Sequence, residues 1–332
     1  MLIKMQVGEQ DRGELQVNVT DSDNAPIRDA RVTISEPETA INPNSPIERL
    51  ETDVSGQTQI VDLNTPPLEY SLNENNENMP YANYNIQIEA PGYETENISN
   101  VEILPDSLSL QDVRMRRREG EQVENIDIDP HTLYAEYPEK IPEDEIKDVN
   151  EPGEIVLSRV VIPEYVVVHN GTPSSNARDY YVTYKDYIKN VASSEIYATW
   201  PRATIEANVL AIMSFTLNRV YTEWYRNKGY DFTITSSTAY DQKWIYGRNI
   251  FQSIDEVVDE IFNQYLSRPD VRQPILTQYC DGKRVTCPNW LSQWGSCNLG
   301  EQGFGTLEII RNYYGDDMYI NTAEQISGIP AS

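Results

Sequence analysis

The stretch SSEIYATWPRATIEANVLAIMSF, Ser193 to Phe215, sets one carboxylate, Glu195, ahead of a Trp-Pro and then runs into a segment with almost no polar face. Pro201 suits the first turn of a helix, where its missing N–H costs nothing. From there Ile205, Val209, Leu210, Ile212, Met213, Leu217, Val220 and Trp224 cover nearly every side of a 3.6-residue cylinder. A helix that is apolar all round has to be buried, so this one predicts the middle of a sizeable core. Glu195 has two readings here: an acid that complements a helix N-terminus, or an acid placed for chemistry.

Outward from that helix the pattern is strands, then helices. EIVLSRVVIPEYVVVHNG reads as strand, and TYKDYIKNVASS offers a capping box, Thr183 with Asp186. Ser253 and Glu256 form a second box ahead of IDEVVDEIFNQYL, QYCDGKRVTC reads as a hairpin turning at Asp281-Gly282, and TLEIIRNYYG ends on Gly315 as a C-cap. All five Trp and all five Phe lie beyond residue 199, which puts the larger aromatic core here. Residues 155–332 therefore read as an α+β domain.

The first half has another cadence. Leu15, Val17 and Val19 alternate, as do Val32 with Ile34 and Ile86 with Ile88, and DSDNAP, DVSGQ and APGYE punctuate them as turns. That is the pattern of an all-β sandwich over residues 1–118, so the chain is multidomain. GELQVNVTDSDNAPIRDARVTI, TDVSGQT and IEAPGYE resemble the carboxypeptidase regulatory-like, transthyretin-type sandwich, with its polar turn at Pro26, its Asp-x-x-Gly turn and its Pro-Gly-Tyr turn. The resemblance implies a module that adheres, spaces or orients, with a docking partner for this half.

Residues 119–154 carry 13 acids against 2 bases, and 4 prolines. So little apolar surface predicts an acidic linker, or a segment draped over a neighbour. The net charge of -27 falls mostly outside the C-terminal part and leaves no footprint for phosphate backbones, which excludes nucleic acid as the expected partner. No apolar run of membrane-spanning length occurs, and MLIKMQVGEQDRGE turns polar too soon for a Sec signal peptide. Cys280, Cys287 and Cys297 cluster, an odd number. In an oxidising setting Cys280 and Cys287, on the arms of one short hairpin, are the expected disulfide, with Cys297 left as a thiol. No cofactor is expected, with zinc at Cys280 and Cys287 as the lesser alternative.

Four blocks between about Val160 and Ile320 resemble the SpoIID (SpoIID/LytB) family of peptidoglycan lytic transglycosylases. They are YKDYIKNVASSEIYATWPRATIEANVLAIMSFTLN, SSTAYDQKWIYGRNI, VVDEIFNQYLSRPDVRQPILTQYCDG and LSQWGSCNLGEQGFGTLEIIRNYYGDDMYI, in the family's order. The resemblance gives Glu195 the position of the catalytic acid. It implies cleavage of MurNAc-GlcNAc strands to 1,6-anhydromuramic products, chemistry that one carboxyl group can serve as acid and then base. Tyr197 and Trp200 would desolvate it and raise its pKa against a helix N-terminus. Asp241 and Gln242 are placed to hydrogen-bond N-acetyl groups, with Ser292, Gln293 and Trp294 beside them.

Two departures set the alternatives. Met213 stands where the family's buried helix commonly carries Arg, and TCPNWL replaces a Gly-His-Gly-rich lead-in to Ser-Gln-Trp-Gly. One alternative is accordingly a degenerate module that holds peptidoglycan strands without cutting them. The other is a structural component of a spore layer or phage-tail-like particle. In each case the chain would be made in the cytoplasm and would work at a cell wall, at a spore envelope or in a released particle.

Overall fold

A computed structural model describes residues 11–37, 45–118, 123–148 and 157–325. The chain divides into two compact units: one built from residues up to 134 together with 197–199 and 245–253, the other from 135–196, 200–244 and 254 onward.

The first unit contains β1 (Asp11–Asp21), β2 (Arg31–Ser35), β3 (Pro46–Glu51), β4 (Val61–Thr65), β5 (Ala82–Glu89), β6 (Thr95–Ile103), β7 (Leu108–Met115) and β8 (Val123–Asp127), with one short helix, α1 (Glu69–Leu72). One sheet runs β3-β2-β5-β6-β8, and the other places the two-residue strand Ile250–Phe251 beside β7, then β1 and β4. The alternating residues point into one core: Leu15, Val17 and Val19 from the second sheet meet Val32, Ile34, Ile86 and Ile88 from the first. Each such side chain contributes roughly 1.5–3 kcal/mol by leaving water, which is what fixes the register of a two-faced strand. This is the sandwich that the period-two pattern predicts. Its DVSGQ turn needs its glycine. The Asp53 carboxylate accepts the N–H of Ser55 (2.8 Å) and Gln57 (3.1 Å), and Gly56 takes φ +75° where a Cβ would lie 2.4 Å from the Val19 carbonyl oxygen.

The described part of residues 119–154 is not a free tether. β8 pairs in parallel with β6, and Ile128 and Leu133 are buried in the first unit. From Ala135 the chain belongs to the second unit, where Tyr137, Lys140 and Lys147 are buried. Backbone pairing and ion pairs with distant arginines anchor a segment whose composition offers few apolar anchors, so of the two readings the draped one describes these residues.

The second unit holds α2 (Tyr184–Glu195), α3 (Arg202–Tyr221), most of α4 (Gln252–Ile261), α5 (Gln293–Glu301) and α6 (Thr306–Tyr314), with short strands between them. Thr183 caps α2, its hydroxyl accepting from the Asp186 N–H (3.3 Å). Every residue of α3 from Ala207 to Arg219 is buried, as its apolar circumference requires. Its polar residues act as tethers: Asn208 donates to the Ser296 hydroxyl (2.9 Å), and the Ser214 hydroxyl accepts the Leu266 N–H (2.7 Å).

Two local expectations are corrected. α4 begins at Gln252, so Ser253 lies inside its first turn and donates to the Ala198 carbonyl (3.1 Å) instead of capping. Asp281-Gly282 does not turn a hairpin. The Asp281 carboxylate accepts the N–H groups of Lys283 (3.2 Å), Arg284 (3.1 Å) and Val285 (3.0 Å), which winds the chain into a loop, and Tyr279–Cys280 pairs in parallel with Leu291–Ser292. The loop is closed by the Cys280–Cys287 disulfide, with Cα atoms 5.7 Å apart. Gly315 ends α6 as expected, its N–H on the Arg311 carbonyl (2.9 Å). Among the described residues no helix is long and apolar enough to cross a membrane.

Candidate active site

Glu195 is the last residue of α2, not a cap of the helix that follows. Pro201 opens α3 with no side-chain cap, and the Glu195 carboxylate turns inward with no exposed surface. Its Oε1 accepts the Lys243 backbone N–H (2.7 Å) and its Oε2 the Tyr279 hydroxyl (2.5 Å). A carboxylate at a helix C-terminus meets partial charge of its own sign, so the dipole works with burial here rather than against it. Burial raises the Glu195 pKa above the ordinary carboxylate range, and Lys140, the Tyr279 hydroxyl and the Lys243 N–H only partly offset it.

Lys140 is the charge nearest to that offset. Its Nζ donates to the Asp241 carbonyl (2.7 Å) and sits 4.4 Å from the centre of the Tyr279 ring. Burial lowers the Lys140 pKa, against the attraction of Glu195 and Asp241. Three tyrosines, Tyr137, Tyr187 and Tyr279, couple electrostatically to Glu195, and burial pushes each phenol well above 10.0. The Tyr187 hydroxyl donates to Gln242 (3.0 Å), whereas the buried Tyr137 hydroxyl makes no hydrogen bond among the described residues.

The residues singled out by sequence fall into three groups. Ser292, Gln293 and Trp294 come to the site through Tyr279, because the Tyr279–Cys280 strand pairs with Leu291–Ser292. The Ser292 hydroxyl caps α5 by accepting the Gly295 N–H (2.9 Å), and the Trp294 ring lies 5.2 Å from that of Trp200. Gln293 is fully buried, and neither end of its amide makes a hydrogen bond among the described residues. Beside Ser292 a cavity of about 400 Å³ is lined by uncharged Thr286, Asn289, Trp290, Asn312 and Tyr313.

Asp241 and Gln242 form the second group, and their hydrogen bonds are internal. The Asp241 carboxylate accepts from Arg219 Nε (2.7 Å), the Tyr225 hydroxyl (2.6 Å), and both the N–H (2.9 Å) and hydroxyl (2.7 Å) of Thr235. Gln242 accepts from Tyr187 (3.0 Å) and Thr216 (2.8 Å) and donates to the Ile212 carbonyl (3.0 Å). Both side chains are fully buried with their polar atoms in use, so neither presents a group to an N-acetyl ligand. Arg219 and Met213, both on α3, are both buried. Tyr197 stands alone as the third group: it belongs to the first unit and stacks on His131 at 4.5 Å.

Sequence reasoning missed Lys140, Tyr137 and Tyr279. Tyr279 lies inside the LTQYCDG block and could have been found there; a lone lysine among acids gives no such signal. The Cys280 and Cys287 sulfurs are bonded to each other, which leaves neither as a thiolate ligand, and no cluster of three or more His, Cys, Asp or Glu side chains is arranged to hold a metal among the described residues.

No protein-family model matches the chain, and no curated protein matches it. Solved structures similar in part include catechol 1,2 dioxygenase of Acinetobacter radioresistens (13% identity, TM-score 0.24, 36% of this chain and 58% of that one). The Bacillus anthracis TIE protein (13%, 0.21, 32% and 17%) and GBS52, the minor pilin of Streptococcus agalactiae (16%, 0.23, 34% and 48%), are others. The chain thus spans less than two thirds of each, and likeness at such TM-scores carries no argument.

Proposed function

We propose that the second unit is a SpoIID-like peptidoglycan lytic transglycosylase domain in which Glu195 is general acid and then general base. The observation that carries the reading is the Glu195 carboxyl itself. It is wholly buried, raised in pKa, and held at both oxygens by the Lys243 N–H and the Tyr279 hydroxyl, and the strand that leads into Ser-Gln-Trp pairs with the Tyr279–Cys280 strand. An acid in that condition keeps its proton nearer neutral pH than an exposed glutamic acid does, as protonating a glycosidic oxygen requires.

The chemistry balances on one group. Glu195 gives its proton to the leaving GlcNAc oxygen as the C1–O bond breaks. The carboxylate then takes the proton of the muramic 6-hydroxyl as that oxygen bonds to C1, closing the 1,6-anhydro ring and restoring the acid. No water is consumed, so no second carboxylate is needed to hold one. The uncharged cavity beside Ser292, with amide, hydroxyl and indole groups, suits an N-acetylated sugar. The β-sandwich would dock or orient the domain at a cell wall, at a spore envelope or in a released particle.

Glu195→Gln is the test. It keeps the shape and removes the proton, so release of anhydromuropeptides from sacculi, followed by mass spectrometry, should fall by about 100- to 10,000-fold with little change in melting temperature. Undiminished product release would end the assignment. The rival is a module that holds glycan without cutting it, and the complete burial of Glu195 favours it. Wild-type protein that binds sacculi and yields no anhydro ends would establish that rival.

A further inference from the structure

Residues 135–148 cross the second unit with neither helix nor strand, and they turn the usual arrangement inside out. Their isoleucines, Ile141 and Ile146, are 44% and 41% exposed, whereas Tyr137, Lys140 and Lys147 are buried. One end is firmly anchored. Glu143 pairs with Arg219 (2.5 Å) and Lys147 (2.5 Å), Glu145 Oε2 accepts from Arg268 (2.8 Å), and the Lys147 N–H donates to Gln273 (2.8 Å). The other end, 135–141, carries Tyr137 and Lys140, both coupled electrostatically to Glu195, with Lys140 over the ring of Tyr279, whose hydroxyl holds Glu195. It is held by hydrogen bonds and a cation–ring contact: Arg284 on the Ala135 carbonyl, Lys140 on the Asp241 carbonyl (2.7 Å) and over the Tyr279 ring (4.4 Å), and Ile141 through Ala239 (2.8 Å) and Gln278 (2.9 Å).

This arrangement opposes turnover in two ways. A sugar cannot reach a carboxyl with no exposed surface. An ammonium brought up to Glu195 also favours its carboxylate, the form with no proton to give. The other groups that face Glu195 are the Tyr187 and Tyr279 phenols, the Lys243 N–H and the more distant Lys243 charge. Tyr137 and Lys140 lie on a segment without regular structure, as does Lys243, but Lys243 is tied directly to Glu195 through its backbone N–H. No helix or strand ladder holds residues 135–141, and of them only Tyr137 and Lys140 are buried, so local opening costs less there than in α2 or α3.

We infer that residues 135–141 form a displaceable inhibitory strap over Glu195, with Lys140 and Tyr137 as its plug, and that access of glycan to Glu195 begins when the strap lifts. The inference rests on the proposed role of Glu195. Its measurable core, occlusion relieved by lifting, stands or falls separately.

The experiment uses the full chain and purified sacculi as the probe. Wild type, Lys140→Met, Tyr137→Ala, and Glu195→Gln alone and combined with Lys140→Met are compared for sacculus binding and anhydromuropeptide release. Hydrogen exchange over 135–141 is followed in the wild type with and without sacculi, which needs no variant to fold. A strap whose open form is a minor state predicts binding at least about tenfold tighter in Lys140→Met and Tyr137→Ala. It also predicts faster wild-type exchange over 135–141 when sacculi are added, and product in all but the two Glu195→Gln proteins. Tighter binding and faster exchange with no product anywhere would uphold the strap and sink the catalytic role. Wild-type cleavage with 135–141 still protected, and no gain in either plug variant, would overturn the strap and leave the catalytic role standing.

Discussion

Replacing Asp241 should destabilise the second unit rather than weaken a ligand. Asp241 and Arg219 are both fully buried, joined at 2.7 Å, and the same carboxylate serves Tyr225 and Thr235. Burial alone would lower the Arg219 pKa, but Asp241 and Glu143 more than offset it, so the guanidinium is charged throughout the working range. Removing one partner of a buried pair costs about 3–5 kcal/mol, because the remaining charge stays out of water. Glu143 still holds Arg219, which argues for the lower part of that range. The stranded Tyr225 and Thr235 donors argue for the upper part, each worth about 1–3 kcal/mol but not additive with the pair. About 4 kcal/mol is therefore expected for Asp241→Ala, and less for Asp241→Asn, which keeps an acceptor for Tyr225. In a body of about 190 residues that is a fall in melting temperature of roughly 8–16 °C. All five tryptophans, Trp200, Trp224, Trp244, Trp290 and Trp294, lie in the second unit, so urea unfolding followed by tryptophan fluorescence reports on that unit alone. An unchanged urea midpoint together with lost sacculus binding would refute the reasoning and return Asp241 to the role of a ligand group.

Two further outcomes are expected. In the first unit burial raises Glu96 and Glu102 to about 7, so the folded state keeps protons that the unfolded chain releases near 4.5. Their contribution is complete below about pH 4.5 and is lost as pH rises through 7, by up to about 3 kcal/mol for each. Amide exchange in β6 should therefore be slower at pH 5.5 than at pH 8 after correction for intrinsic rates, with a flatter dependence in Glu102→Gln; an equal slope in the variant would contradict this. Reducing the Cys280–Cys287 bond, whose partners are 7 residues apart, should lower second-unit stability by about 2.5 kcal/mol. A urea midpoint indifferent to reductant would show that the loop is held by Asp281 alone.

The sandwich was legible because burial on one face of a strand imposes period two on the side chains, and Leu15-Val17-Val19 carries that period openly. α3 was legible for the complementary reason: a helix apolar on all sides has nowhere to go but inside. Residues 119–154 were less so. Their composition counts acids, but Glu143 and Glu145 find Arg219 and Arg268 more than 70 positions away, and β8 joins its sheet through backbone groups that every residue carries. The end of α2 at Glu195 has no glycine to mark it, and so the dipole argument drawn from sequence has the wrong sign.

Glu195 and Asp241 show what sequence leaves open at the site. Both are acids just outside or beyond a helix in the linear reading, and both are wholly buried in the same unit. What separates them is the donors that the fold sets against each. Asp241 meets a guanidinium, a phenol, a hydroxyl and an N–H, four donors that tie it into the core. Glu195 meets one N–H and one phenol, and Lys140, a cation coupled to it, arrives on the strap rather than on the core. The second arrangement leaves the carboxyl with fewer donors committed to it, which suits a group that must give up and take back a proton. Bringing a guanidinium to Glu195 should make it resemble Asp241. Lys140→Arg supplies that longer, permanently charged group, so it should release less product than wild type while Lys140→Met releases more. The same order of activity for Arg and Met at position 140 would show that the charge on the strap does not act on Glu195.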